Sequence, residues 1–156
     1  MTIPVSTVDT VKDYLYTQLN AQIPGAGTSD PATVLVSYDL PGAWQPFDIV
    51  VVGDIQVTNS IESFVGSGGA HWLHEAYEVN ITISVYRGDG FDAPAVWKQA
   101  KALSDYVDVT VRSDPSLGGA VQLAYPSTTR YLSEWAEDHS GRLVTVQKTI
   151  QVQTEI

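Results

Sequence analysis

The alternating stretch from Glu75 to Tyr86 constrains the fold more than any other part of the chain. Every second side chain from Tyr77 to Val85 is apolar, and the positions between them carry Glu, Asn, Thr and Ser. A period of two held over five repeats predicts a β-strand with one buried face and one more polar face. The two glycines of Arg87-Gly88-Asp89-Gly90 predict its end. Other elements must cover the buried face.

Two amphipathic helices are available as cover. The first is predicted from Ser6 to Ile23, with Ser6 and Asp9 as a capping pair and Pro24-Gly25 as its end. The second opens at Asp92-Ala93-Pro94, where an Asp cap precedes a proline in the first turn. Apolar side chains recur in both at steps of three and four. These positions are Val8, Val11, Leu15, Leu19 and Ile23 in the first helix, and Val96, Ala100, Leu103, Val107 and Val111 in the second.

Four further segments have strand character. They are Thr33–Asp39, Phe47–Val57, Ala120–Tyr125 with a continuation over Tyr131–Glu137, and Leu143–Thr154. The run from Phe47 is apolar at successive positions, which predicts a central strand covered on both faces, by this chain or by a neighbour. The element order predicts a single α+β domain over 1–156, with an antiparallel or mixed sheet of four to five strands and two helices on one face.

Composition excludes several kinds of protein. The chain has no cysteine, which removes disulfides and thiolate metal sites. Its net charge is −10 and its eight basic residues are scattered, which argues against nucleic-acid binding as the main task. The N-terminus lacks a signal-peptide pattern, and no apolar run approaches the roughly 20 residues of a membrane span. We therefore expect a protein of the cytosol, or of an assembly built there, that does not enter membranes.

Three groups of residues invite a chemical interpretation, and each has a simpler one. His71 and His74 beside Glu75 suggest a metal site, but residues three apart on a strand point to opposite faces. The glycine-rich Gly66-Ser67-Gly68-Gly69 lacks the lysine and the helix start of a phosphate loop. The acidic residues near His139, at a predicted hairpin turn, have no nucleophile beside them; they are Glu134, Glu137 and Asp138. We expect no enzyme, no metal and no cofactor.

The second half of the chain resembles a known family. A strand ending in Ser-Val-Tyr-Arg is followed by a helix, by Asp114-Pro115-Ser116-Leu117-Gly118-Gly119-Ala120-Val121, and by a final pair of strands. This arrangement is similar to the tail-terminator, or tail-completion, proteins of long-tailed bacteriophages. The resemblance covers residues 5–154 in element order and residues 75–123 in motif.

The resemblance implies a structural role in a virion. Proteins of that family form a six-membered ring at the head-proximal end of the tail tube, stop its polymerisation and join it to the head connector. The implied partners are copies of the chain itself, the tail tube protein and a head–tail connector or head-closure protein. DNA passes through the ring without specific binding, and an acidic bore would help it slide. The implied location is the head–tail junction of a virion assembled in the host cytoplasm.

Large apolar residues near loops are the candidates for contact between subunits or with the tube, because aromatic groups anchor interfaces. They are Trp44, Phe47, Phe64, Val65, Trp72 and Trp135. For each, burial in the core of its own subunit is the alternative. Two other functions stay open: another neck or head-closure ring component of the same kind of particle, and an unrelated small-ligand binding domain.

Overall fold

A computed structural model describes residues 4–27, 33–42, 45–61, 73–88, 93–135 and 141–156. The elements, in chain order, are α1 (Val8–Gln22), β1 (Val34–Tyr38), β2 (Asp48–Ile61), β3 (Leu73–Gly88), α2 (Ala93–Ser113), β4 (Leu123–Trp135) and β5 (Gly141–Glu155). The strands form one sheet in the order β1-β2-β3-β5-β4. β1 and β2 are parallel and all other neighbours are antiparallel. The α+β class, the mixed sheet of five strands and the two helices are therefore confirmed.

The long alternating strand lies at the centre of the sheet, as its pattern predicts. β3 pairs with β2 along one side and with β5 along the other. Its inner face, from Tyr77 to Val85, is buried, and the opposite face carries exposed or partly exposed polar side chains. α2 contacts β3, β4 and β5, and α1 contacts β1 and β2, so the two helices share the cover of the inner face. We call the opposite surface, which carries neither helix, the open face.

Both predicted helical stripes are buried, except that Val8 at the start of the first is only partly buried. In α1 the buried apolar side chains are Val11, Leu15, Leu19 and the C-cap Ile23; in α2 they are Val96, Ala100, Leu103, Val107 and Val111. The predicted cap of the first helix is wrong, however. The N-cap is Thr7, and no side chain caps it in the usual way. Instead, the Glu75 carboxylate of β3 accepts hydrogen bonds from the Thr7 backbone N–H at 3.0 Å and from its hydroxyl at 2.8 Å.

The turn after α2 depends on left-handed backbone at three successive residues. Leu117, Gly118 and Gly119 have φ of 49°, 73° and 83°. The Asp114 carboxylate holds the turn by accepting from the Ser116 hydroxyl at 2.6 Å and the Gly118 N–H at 2.9 Å. These bonds favour the charged form and lower the pKa of Asp114. A Cβ at Gly118 would lie 3.2 Å from the Tyr14 ring of α1, so the turn also packs on the first helix.

The structure leaves one strand prediction open and bears out another. The apolar run in β2 is not covered on both faces by the described residues: Val50 and Val52 are buried under the helices, whereas Ile49 and Val51 on the open face stay partly exposed. The segments on either side of Pro126 form one strand, β4, with a register shift between Pro126 and Thr128. A bulge absorbs the proline, which cannot donate to a ladder.

Candidate functional site

Two of the six candidate interface residues lie in the described part of the chain, and both are at the same end of the sheet. Phe47 precedes β2 and is 63% exposed; Trp135 ends β4 and is 52% exposed. The pairing of the strands places them at one level. Tyr86 of β3 donates its N–H to the Phe47 carbonyl at 3.0 Å. The next residue of β3, Arg87, lies opposite Arg142 of β5, which lies opposite Trp135 of β4. Trp44, Phe64, Val65 and Trp72 lie outside the described residues, so the structure does not test them.

Each exposed ring has a partner that fixes its position. The Phe47 ring lies 5.7 Å from the Tyr86 ring, centroid to centroid. The Arg142 guanidinium lies 4.3 Å from the centre of the Trp135 ring, in cation–π geometry. Such contacts reduce the conformational freedom of the rings before any partner binds. A preorganised exposed aromatic group is a suitable anchor for an interface.

A buried ion pair lies beside this aromatic end. Asp48 of β2 is 5% exposed, and its carboxylate accepts from both terminal nitrogens of Arg87 at 2.5 and 3.2 Å and from the Gln99 amide of α2 at 3.0 Å. A bidentate pair of this kind is strong and directional. It ties the ends of β2 and β3 to the first turns of α2. Sequence analysis missed this pair. A signal was present, because Asp48 has the same side-chain alternation as the buried Val50 and Val52, and Arg87 has that of the buried Val85.

An open cleft of about 560 Å³ adjoins this pair and is lined by Thr33, Gln45, Pro46, Phe47, Asp48 and Arg87. Its two charged groups, Asp48 and Arg87, bind each other. No side chain of this lining is an obvious nucleophile with a base beside it, as covalent or acid–base catalysis would need. The lining therefore combines one exposed aromatic ring with an internally paired charge.

A second buried network lies under α2. Lys148 of β5 is 2% exposed, and its ammonium group has three oxygens around it. It donates to the Ser104 hydroxyl at 3.0 Å and to the Thr129 hydroxyl at 2.9 Å, and it forms an ion pair with an Asp108 carboxylate oxygen at 2.8 Å. The cluster links α2 to β4 and β5. Ser104 is fully buried, so this serine–lysine contact is a structural clamp and offers no access to a substrate.

The third buried network joins α1 to β3. The Tyr77 hydroxyl lies 2.8 Å from the Thr7 hydroxyl, which donates to the buried Glu75 carboxylate. Burial raises the pKa of Tyr77 to about 12. The second carboxylate oxygen of Glu75 has no hydrogen-bond partner among the described residues. Its position at the N-terminus of α1 is electrostatically favourable for a carboxylate.

The described residues do not assemble the other candidate chemistries. Within them, no three His, Asp or Glu side chains are grouped to hold a metal ion. His74 and Glu75 are neighbours on β3 and so lie on opposite faces, and Glu134 is exposed near the end of β4. His71, Gly66-Ser67-Gly68-Gly69, Glu137, Asp138 and His139 fall outside the described residues. In the part of the chain that is described, neither helix has the apolar length needed to cross a bilayer.

Comparison with known proteins gives a likeness of fold. No protein-family model and no curated protein matches the chain. Among solved structures, the fold is similar to a chain from the virion of a native gene transfer agent (GTA) particle, with a TM-score of 0.51 and 14% sequence identity. The match covers 96% of this chain and 99% of that chain. At such low identity it shows that the two chains share a fold.

Proposed function

We propose that this chain is a structural virion protein that forms a ring, of six copies by analogy with the tail terminators, on the head-proximal end of a phage-type tail tube. The ring stops polymerisation of the tube and joins the tail to the head connector. The observation that carries the proposal is the shared fold with a chain of a virion particle over nearly the whole of both chains. A match that leaves almost no residues outside it favours a common architectural role over the reuse of one motif.

The site supports a binding role rather than catalysis. The buried charged groups around Asp48 and Lys148 are used to connect elements of the fold. What remains exposed at the sheet end is aromatic, at Phe47 and Trp135, and exposed aromatic anchors are typical of interface centres. We therefore propose that the protein is no enzyme and that this end of the sheet contacts a neighbouring subunit or the tube.

The proposed partners follow from the ring. They are further copies of this chain, the tail tube protein and the connector or head-closure protein, and the location is the head–tail junction. DNA would pass through the bore without specific binding, since a net charge of −10 and scattered basic residues disfavour a tight hold on phosphates. A ring requires two different complementary patches on each subunit, and the aromatic sheet end would be one of them.

Tails assembled with and without the protein test the proposal directly. We expect tails of uniform length with a ring at one end when the chain is present, and overlong tubes when it is omitted. Electron microscopy of negatively stained particles measures both properties. Unchanged tail length in its absence would exclude a terminator. A protein that stays monomeric, forms no ring and does not bind tube ends would favour the small-ligand alternative.

Truncating Trp135 tests the aromatic end. We expect Trp135→Ala to leave the melting temperature within a few degrees of wild type, because the ring is half exposed. We expect ring assembly to weaken by about tenfold or more, which corresponds to the roughly 1–2 kcal/mol of an interface anchor. Sedimentation velocity over a concentration series measures assembly. Val109→Ala, which removes a side chain 58% exposed on α2, is the matched control and should assemble normally.

A further inference from the structure

We infer that copies of this chain associate by strand pairing, with the outward side of the second half of β2 in one copy joined to the outward side of the second half of β4 in the next. The inference rests on the proposed ring and deepens it by naming the two complementary edges. Three observations support it: the outward direction of backbone N–H and C=O groups in the second halves of β2 and β4, the composition of the β2 segment, and the directions of the strands.

The second half of β2 has backbone groups that point away from the sheet. β1 pairs with β2 over Asp48–Val52, and the Val52 carbonyl accepts from Asp39 on that side. One extra residue lies between Val52 and Ile55, which shifts the alternation. From Ile55 to Ile61, the N–H and C=O groups of every second residue therefore point outward. No described strand pairs with them.

The composition of this edge is that of a pairing strand. Gln56–Ile61 contains no charged residue, no proline and no glycine, and every one of its side chains is exposed. Val57 and Ile61 are 39% and 55% exposed. Monomeric proteins protect such edges with proline or with lysine and other charged side chains, because an unprotected edge is a template for another strand. The absence of such protection between Gln56 and Ile61 favours an extended partner.

The opposite edge of the sheet, on β4, is blocked in its first part and open in its second. The Ala124 N–H points outward and is already bonded to the Pro115 carbonyl at 2.8 Å. Pro126, the next outward position, has no N–H to donate. Beyond the register shift, the outward positions are Thr129, Tyr131 and Ser133, and no described strand lies beside them. The β4 edge is thus blocked over its first part and open over its second, and on the other side of the sheet the second half of β2 extends beyond its pairing with β1.

Strand direction and offset make the two open halves compatible. β2, β3, β5 and β4 are successively antiparallel, so β4 runs opposite to β2 and would pair with it in the antiparallel sense. The centres of the open halves, Thr58 of β2 and Tyr131 of β4, lie at the levels of Ala76 and Ile83 of β3. That separation is about 23 Å at roughly 3.3 Å per residue. A ring accommodates such an offset when its strands are tilted to the ring axis, as strands are in closed barrels.

Disulfide cross-linking tests the pairing. Because the chain has no native cysteine, only the introduced cysteines can form disulfides. Ser60 lies on the open face of β2, and Thr128 and Arg130 lie on the same face of β4. We expect Ser60→Cys combined with Thr128→Cys or with Arg130→Cys to give, on oxidation, a ladder of multimers that reductant removes. Each single variant can give dimers at most. Ser60→Cys with Gln122→Cys, an exposed position beside the blocked half of β4, should give no ladder.

A proline substitution provides the second measurement. Asn59 has its N–H on the outward side, so Asn59→Pro removes an edge donor without breaking the ladder to β3. We expect a folded monomer with at least a tenfold loss of assembly, whereas Asn59→Thr, which keeps the N–H, assembles normally. Rings that form in Asn59→Pro, with no ladder from either cysteine pair, would overturn strand pairing and leave the proposed function intact. A wild-type chain that stays monomeric, alone and on tube ends, would overturn both.

Discussion

Leu103→Asp is expected to unfold the protein. Leu103 is 2% exposed in the middle of the buried stripe of α2, where the helix contacts the centre of the sheet. The substitution removes buried leucine packing, which costs about 2–5 kcal/mol. It also places a carboxylate in an apolar environment without a partner, at a further cost of several kcal/mol. The sum is comparable with the whole stability of a domain, about 5–15 kcal/mol. Circular dichroism and urea unfolding measure the loss.

The neighbouring residue provides the control. Ala102 is exposed on the same helix, so Ala102→Asp introduces the same charge at a position that faces solvent. We expect a change of about 0.5 kcal/mol or less in the free energy of unfolding, as for most surface substitutions. A Leu103→Asp protein that melts close to wild type would show that the stripe of α2 does not face the core.

The sequence predicted the periodic elements well because their patterns are long. The alternation in β3 and the three-and-four spacing in α1 and α2 repeat often enough to identify both the element type and its buried face. The same stripes are buried in the structure. The Asp114–Gly119 turn was predictable for a different reason: Gly118 and Gly119 occupy left-handed backbone, which glycine adopts without strain.

The failures come from tertiary contacts that leave no local pattern. The N-terminus of α1 is held by Glu75, a residue 68 positions away from Thr7, so a search for a local cap selects the wrong pair. The apolar run in β2 is a different case: described residues cover its helix side, and cover of the second face by a neighbour stays a prediction. The pattern reports that both faces are apolar; it does not say whether the chain or a neighbour covers the second one.

The sequence contains one feature from which the buried polar networks could have been predicted. Asp48, Glu75 and Lys148 each stand in phase with buried apolar residues of their own strands, where an ionisable side chain is unexpected. A charged residue at such a position predicts a buried partner, because burying an unpaired charge is costly. The identity of the partner is not predictable, since it lies on another element. For the interface candidates the limit is similar: exposure of Phe47 and Trp135 depends on what the rest of the fold leaves uncovered.

Replacing Lys148 by methionine is the second substitution with a large expected effect. Methionine keeps most of the side-chain volume and removes the ammonium group, so the Ser104 hydroxyl and the Asp108 carboxylate each lose a partner. Breaking a buried ion pair in this way typically costs about 3–5 kcal/mol. The Asp108 side chain is 32% exposed and can regain hydration, which reduces the expected loss to about 2–4 kcal/mol. Urea unfolding at neutral pH measures it.

An exposed lysine on α2 is the control that separates the effect of burial from the effect of removing a positive charge. Lys101 of α2 pairs with Asp105 at 2.7 Å on the exposed face, and Lys101→Met should leave the free energy of unfolding close to that of wild type. Adding Asp108→Asn to Lys148→Met removes the stranded carboxylate and should recover part of the loss, since the two residues are coupled. Equal effects of Lys148→Met and Lys101→Met would mean that the buried cluster does not hold α2 against β4 and β5. The larger loss at Lys148, with recovery in the double variant, would identify the cluster as the clamp between those elements.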